Sequence, residues 1–149
     1  RSGPITQTSL DFDSSEGTVD LPIDYAQAMI AHAVEENPNE CCGILAAKDG
    51  AFLKLYRITN SEQSPYRYSM DSKELFETYR EIDDNGWDLA AIYHSHTHSP
   101  AYPSATDVRL ASWPDALYFL VSLMDPSAPE IRCFRIHGSD ILEEELRVT

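Results

Sequence analysis

The sequence predicts an α/β fold, a mixed and largely antiparallel sheet flanked by helices, and three observations carry that expectation. Apolar runs of strand length recur at residues 41–47, 52–58, 117–124 and 131–136, and they outnumber the helical stretches. Asp49-Gly50 stands between two of these runs, a hairpin signal because both turn positions need positive φ. Two further stretches, beginning at Pro22 and at Asp71, space their apolar residues three and four apart, as amphipathic helices do.

Length and charge set the outer bounds. At 149 residues and 42% hydrophobic, the chain is sized for one globular domain with one real core. Residues 1–19 are polar, rich in Ser, Thr, Asp and Gly, and show no apolar period, so they read as a flexible arm ahead of a domain over 20–149. A formal charge of −14 argues against nucleic acid or anionic lipid as partners, since both are held by clustered Lys and Arg. No stretch reaches the length of an apolar membrane span and no secretion signal is evident, so a cytoplasmic protein is expected. Three cysteines, two of them adjacent, do not make a disulfide framework and read as small buried hydrophobes.

Taken in order, Pro22 suits the first turn of a helix in which Ile23, Ala26, Ile30, Ala33 and Val34 recur at helical spacing up to Asn37-Pro38. His32 on that helix reads as a partly exposed surface residue. Glu40 opens the strand 41–47, which turns at Asp49-Gly50 into 52–58. Tyr66, Tyr68 and Met70 alternate with polar residues and suggest a short half-buried strand. Asp71 with Glu74 resembles a capping box for a helix through Leu75, Phe76, Tyr79 and Ile82, stopped by Asn85-Gly86. Strands at 117–124 and 131–136 and a last segment at 141–148 complete the chain.

The stretch with chemistry in it follows the apolar run 89–93. Alternate residues of an extended chain face one side, so His94 and His96 aim two imidazoles at one point while Ser95 turns away. A catalytic zinc site usually takes three protein ligands and leaves a fourth position open, and Asp107 is the nearest downstream carboxylate able to complete the set. His98 continues the alternation, so spacing alone also allows a three-histidine site; Pro100 close behind argues for an early bend instead. Ser104-Ala105-Thr106-Asp107 before an apolar run is also a helix N-cap pattern, and both readings can hold together.

The spacing H-S-H-x7-S-x2-D, with Glu40 upstream in Glu40-Cys41-Cys42-Gly43, resembles the signature of the JAMM (MPN-plus) metalloproteases. Segments 60–65, 92–98, 102–110 and 114–116 are similar to the small bacterial members that process sulfur-carrier proteins, and the resemblance spans roughly residues 20 to 148. It implies a cytidine deaminase-like α/β fold, Zn²⁺ held by His94, His96 and Asp107, Glu40 as general base and Ser104 as oxyanion donor. It also implies a ubiquitin-like or sulfur-carrier protein with a C-terminal Gly-Gly tail as partner. The expected reaction is hydrolysis after that Gly-Gly, releasing a terminal amino acid such as cysteine. An isopeptidase acting on lysine-linked modifiers uses the same residues. A non-catalytic MPN scaffold is the reading from another class, and the retained ligands argue against it. A nucleoside deaminase is excluded because the chain has neither H-x-E nor P-C-x-x-C.

Overall fold

The computed structural model describes residues 17–149. Seven strands and three helices follow in the order β1 (Thr18–Leu21), α1 (Ile23–Glu36), β2 (Cys42–Lys48), β3 (Ala51–Ile58), α2 (Ser72–Asp84), β4 (Asp88–His96), α3 (Ala105–Leu110), β5 (Leu117–Ser122), β6 (Glu130–His137) and β7 (Asp140–Val148). They form one sheet in the order β1-β7-β6-β5-β4-β2-β3. Two pairs, β1 with β7 and β4 with β5, are parallel, and the other four are antiparallel. The mixed, largely antiparallel α/β sheet expected from the sequence is therefore the fold. Among the described residues no helix is long and apolar enough to cross a membrane.

The sheet buries both faces, which is why its central strands read as nearly continuous apolar runs. Ala91 and Tyr93 of β4 and Leu117, Phe119 and Val121 of β5 join Ala26, Met29 and Ala33 of α1 in one core. Ile44, Ile92 and Tyr118 join Ile82 of α2 in the other. Burying each large side chain of this kind contributes roughly 1.5–3 kcal/mol, so the two helices clamp β4 from both sides. The Asp49-Gly50 turn has positive φ at both residues (53° and 81°), as the hairpin requires. Gly43 of β2 allows the closest approach: a Cβ there would lie 2.1 Å from the Tyr93 ring and 2.5 Å from the Tyr56 carbonyl oxygen.

Five local expectations need correction. Residues 1–16 of the expected arm lie outside the described residues, but Thr18 and Val19 belong to β1, held by parallel pairing to Glu145 and Leu146 at the far end of the chain. His32 is buried, 4% exposed, and pairs with the Tyr93 hydroxyl at 2.7 Å, while Ile23 and Val34 are exposed. The buried stripe of α1 runs through Ala26, Met29, His32 and Ala33, rotated from the one read in the sequence. The segment holding Tyr66, Tyr68 and Met70 is not a strand, and only Met70 bridges, to Asn60. At α2, Asp71 accepts from Glu74 N–H at 3.0 Å, but the Glu74 carboxylate turns away to Thr59, so the capping box is half made.

Candidate metal centre

Strand alternation positions the site. Ile92 faces the α2 side of the sheet, so His94 and His96 face that side too, and Ser95 faces α1, where its hydroxyl accepts the Cys41 N–H at 2.8 Å. Because β4 and β5 are parallel, the chain must cross over between them, and the crossover leaves from the end of β4 that carries the histidines. It contains α3, whose N-cap is Ser104. The Ser104 hydroxyl accepts Asp107 N–H at 3.0 Å and Asp107 Oδ2 accepts Ser104 N–H at 2.9 Å, a complete capping box. The cap and the site are thus one arrangement: the same Oδ2 lies 2.9 Å from His96 Nε2 and 3.1 Å from His94 Nε2.

One donor atom from each of His94, His96 and Asp107 lies within 4.8 Å of the others, and the three side chains are 3–7% exposed. The protonation pattern shows what the cluster lacks. His96 Nδ1–H must donate to the Pro100 carbonyl at 2.8 Å, since that oxygen can only accept. In the neutral ring Nε2 then carries a lone pair, facing a carboxylate oxygen at 2.9 Å, and two acceptors that close need a proton or a cation between them. His94 Nε2 is near Asp107 but lacks hydrogen-bond alignment, and both its ring nitrogens are buried without a hydrogen-bond partner. Tetrahedral zinc with bonds of about 2.0–2.1 Å sets its ligand atoms about 3.3 Å apart, close to the 2.9 and 3.1 Å seen here. The residues present fit a zinc ion.

The electrostatics agree with that fit. Burial lowers the His94 pKa and keeps the ring neutral, the form that binds metal. For His96 burial alone would act the same way, but the Asp107 carboxylate and Pro100 carbonyl outweigh it and the value is raised. Asp107 is held far below the usual carboxylate range: its burial is outweighed by the two imidazoles that face its Oδ2 and by the bond from the Ser104 N–H. All three cysteines are buried and free, and burial pushes the Cys41 thiol up to about 12, which makes it inert as a nucleophile.

Glu40 reaches the cluster from the neighbouring strand. Cys42 pairs with His94, and continuing that antiparallel register brings Glu40 opposite His96 on the same face. Its N–H donates to Ser64 O at 2.9 Å and its carbonyl accepts Asn60 Nδ2–H at 3.0 Å. The side chain is 3% exposed, Oε1 has no hydrogen-bond partner, and burial pushes its pKa up to about 8. His98 lies beyond the end of β4, exposed, with Nδ1 at 2.8 Å from its neighbour Thr97, and does not join the cluster.

Two residues of the site had no role assigned from sequence. Tyr68 stacks on the His94 ring with centroids 4.5 Å apart, walling one side of the cluster. Asn60 is fully bonded: besides Glu40 it donates to Arg67 O at 3.1 Å and accepts from the N–H groups of Glu62 and Ser69 at 3.0 Å each. It ties Glu40 to the loop that carries Tyr68. Both contacts join segments distant in sequence, so no local spacing marks Asn60 or Tyr68 as part of the site.

A family model described as prokaryotic homologs of the JAB domain matches residues 22–137. The chain is 44% identical over 127 residues to the CysO-cysteine peptidase of Mycobacterium tuberculosis, covering 84% of this chain and 87% of that one. It is 31% identical over 103 residues to a desampylase of Pyrococcus furiosus, covering 68% and 73%. A solved structure from Desulfitobacterium hafniense superposes with a TM-score of 0.77 at 36% identity, over 87% of this chain and 92% of that one. With a matching model over most of its length and the motif residues gathered at one point, the chain belongs to the prokaryotic JAB-domain family.

Proposed function

We propose that the protein is a zinc-dependent peptidase that cleaves after the C-terminal Gly-Gly of a ubiquitin-like or sulfur-carrier protein and releases a terminal amino acid such as cysteine. The observation that carries the reading is the buried donor cluster of His94, His96 and Asp107 with Glu40 on the neighbouring strand, its buried Oε1 lacking a hydrogen-bond partner. His94, His96 and Asp107 would hold the ion. When bound, zinc supplies Lewis acidity, polarising the scissile carbonyl and bringing the pKa of water from about 16 toward 7.

The chain's own residues do the rest. Glu40 Oε1 takes a proton from the attacking water and returns it to the departing amine nitrogen, so that the C–N bond breaks as the new C–O bond is completed. Ser104 Oγ accepts from Asp107 N–H, and its own O–H remains to donate to the substrate oxygen as negative charge builds there. Tyr68 excludes water from one side of His94, which strengthens each electrostatic contact inside. The pyrrolidine rings of Pro100 and Pro103 restrict the loop between β4 and α3, so the ligands are held in place before substrate arrives.

Relatives named CysO-cysteine peptidase and desampylase support a carrier conjugate as substrate, the first favouring a terminal amino acid as leaving group. The second favours the alternative, an isopeptidase acting on lysine-linked modifiers. Intact-mass analysis tests both: zinc-loaded protein is incubated with a carrier ending in Gly-Gly-Cys and with the same carrier joined to a lysine side chain. Loss of one cysteine from the first alone is expected. Cleavage of the lysine conjugate alone overturns the leaving-group assignment, and cleavage of neither overturns the peptidase.

A further inference from the structure

A cavity of about 420 Å³ opens beside the metal centre, with Asp107 in its wall. Met70, Leu75 and Trp113 give it an apolar side, and two guanidinium groups, Arg67 and Arg109, line it together with the Glu62 carboxylate. In a chain with 25 acidic residues against 11 Lys and Arg, a cation is expected to find a carboxylate. Among the described residues the other arginines do: Arg57 with Glu35, Arg67 with Glu62, Arg80 with Asp84, Arg132 with Glu143, Arg135 with Glu144 and Arg147 with Asp20. Arg109 does not. It is exposed in the last turn of α3, two residues beyond Asp107. The Arg67 contact with Glu62 is loose, a single approach of 3.5 Å between two half-exposed side chains.

An arginine kept free of internal partners at the wall of a cavity that also contains a metal-site residue is available to a carboxylate brought by the substrate. Guanidinium is suited to this role, because its fork of N–H donors matches a carboxylate in two-point contact. We propose that this cavity is a substrate carboxylate site, with Arg109 as its anchoring group and Arg67 beside it. The inference rests on the peptidase reading for the identity of the substrate. Two parts of such a substrate could supply the carboxylate: the free α-carboxylate of the amino acid to be released, or an acidic side chain in the carrier's tail. In the first case Arg109 is what selects a peptide bond to a terminal residue over an isopeptide bond, since a lysine side chain within a protein offers no carboxylate at that position.

Binding is measured apart from turnover by calorimetry with zinc-loaded Glu40→Gln protein, with and without Arg109→Gln. The probes are a ubiquitin-like carrier protein bearing a C-terminal Gly-Gly-Cys as the free acid and the same protein as the C-terminal amide. Arg109→Gln is expected to weaken binding of the free acid about tenfold or more, the usual scale for a hydrogen bond to a charged group. If the amide binds as weakly as that and is indifferent to Arg109→Gln, the α-carboxylate is the ligand. If both forms weaken alike, the carboxylate lies in the tail. Unchanged binding of both forms, or no binding of either, overturns the proposal. So does an equal loss with Arg80→Gln, which removes the same charge from α2 at a residue outside the cavity lining. Wild-type turnover of the free acid is followed in parallel. Absent turnover with Arg109-dependent binding sinks the peptidase reading alone, and turnover with Arg109-independent binding sinks this proposal alone.

Discussion

Glu40 combines burial with an unpaired oxygen, and that combination has a cost in stability that can be measured. Burial raises its pKa from 4.5 to about 8, so in metal-free protein at pH 7 the native carboxyl holds a proton that the unfolded chain has released. A carboxyl whose folded pKa is raised contributes no penalty below 4.5 and a growing one as pH climbs from 4.5 to about 8. Between pH 4.5 and pH 7 the penalty grows to about 3 kcal/mol of lost stability. Glu40→Gln removes that penalty but adds an amide group, whose unmade hydrogen bond gives back about 1 kcal/mol. The variant should therefore be about 2 kcal/mol more stable than wild type at pH 7 after chelation, and no more stable at pH 4.5. Urea unfolding of chelator-treated wild type and variant at pH 4.5, 6, 7 and 8 gives the difference, in which every other titrating group cancels. The same substitution should retain zinc and lose turnover by about 10²-fold or more, since the amide cannot take a proton. A Glu40→Gln protein less stable than wild type at pH 7, with an unchanged pH slope, refutes the reasoning.

Other outcomes follow from the same geometry. Asp107→Ala should lose stoichiometric zinc and also about 1 kcal/mol of α3 capping, whereas His98→Ala should keep one zinc per chain; elemental analysis with thermal unfolding reads both. Zinc binding should release protons and tighten as pH rises, because the metal-free site holds raised pKa values at Glu40 and His96; calorimetry in buffers of different ionisation enthalpy counts the protons. His32 is pushed down to about 4, mainly by burial and then by Arg57, so it stays neutral in the fold and becomes a liability as pH falls from 6.5 toward 4. The loss amounts to about 3 kcal/mol at the acid end, and His32→Gln should flatten that limb of the stability profile. Gly43→Ala drives a methyl to 2.1 Å from the Tyr93 ring and should cost about 3 kcal/mol or more, displacing β4 next to His94; denaturant midpoints check it.

What the sequence disclosed and what it withheld divide along the range of the interactions. The hairpin at Asp49-Gly50, the stop at Asn85-Gly86 and the alternation that aims His94 and His96 together are local, written in turn residues and in a period of two. The Ser104 to Asp107 pattern forms a complete cap, and the same Asp107 oxygen that closes it lies against His96, so the cap and the cluster share one atom. β1 escaped notice because four residues carry too little pattern, and their partner strand lies some 127 positions away. The burial of His32 is not local: the inner stripe of α1 includes Met29 and a histidine satisfied by Tyr93, and not Ile23 and Val34. Tyr68 reaches His94 through a loop whose path is set by Asn60, and no spacing rule encodes that.

The central claim is that His94, His96 and Asp107 share one divalent ion within reach of Glu40. Anomalous diffraction at the zinc edge from crystals grown with zinc measures this directly. One anomalous peak bonded to His94 Nε2, His96 Nε2 and Asp107 Oδ2 at about 2.0–2.2 Å is the expected result. A peak elsewhere, or an ion held without Asp107 or with His98 in its place, contradicts it.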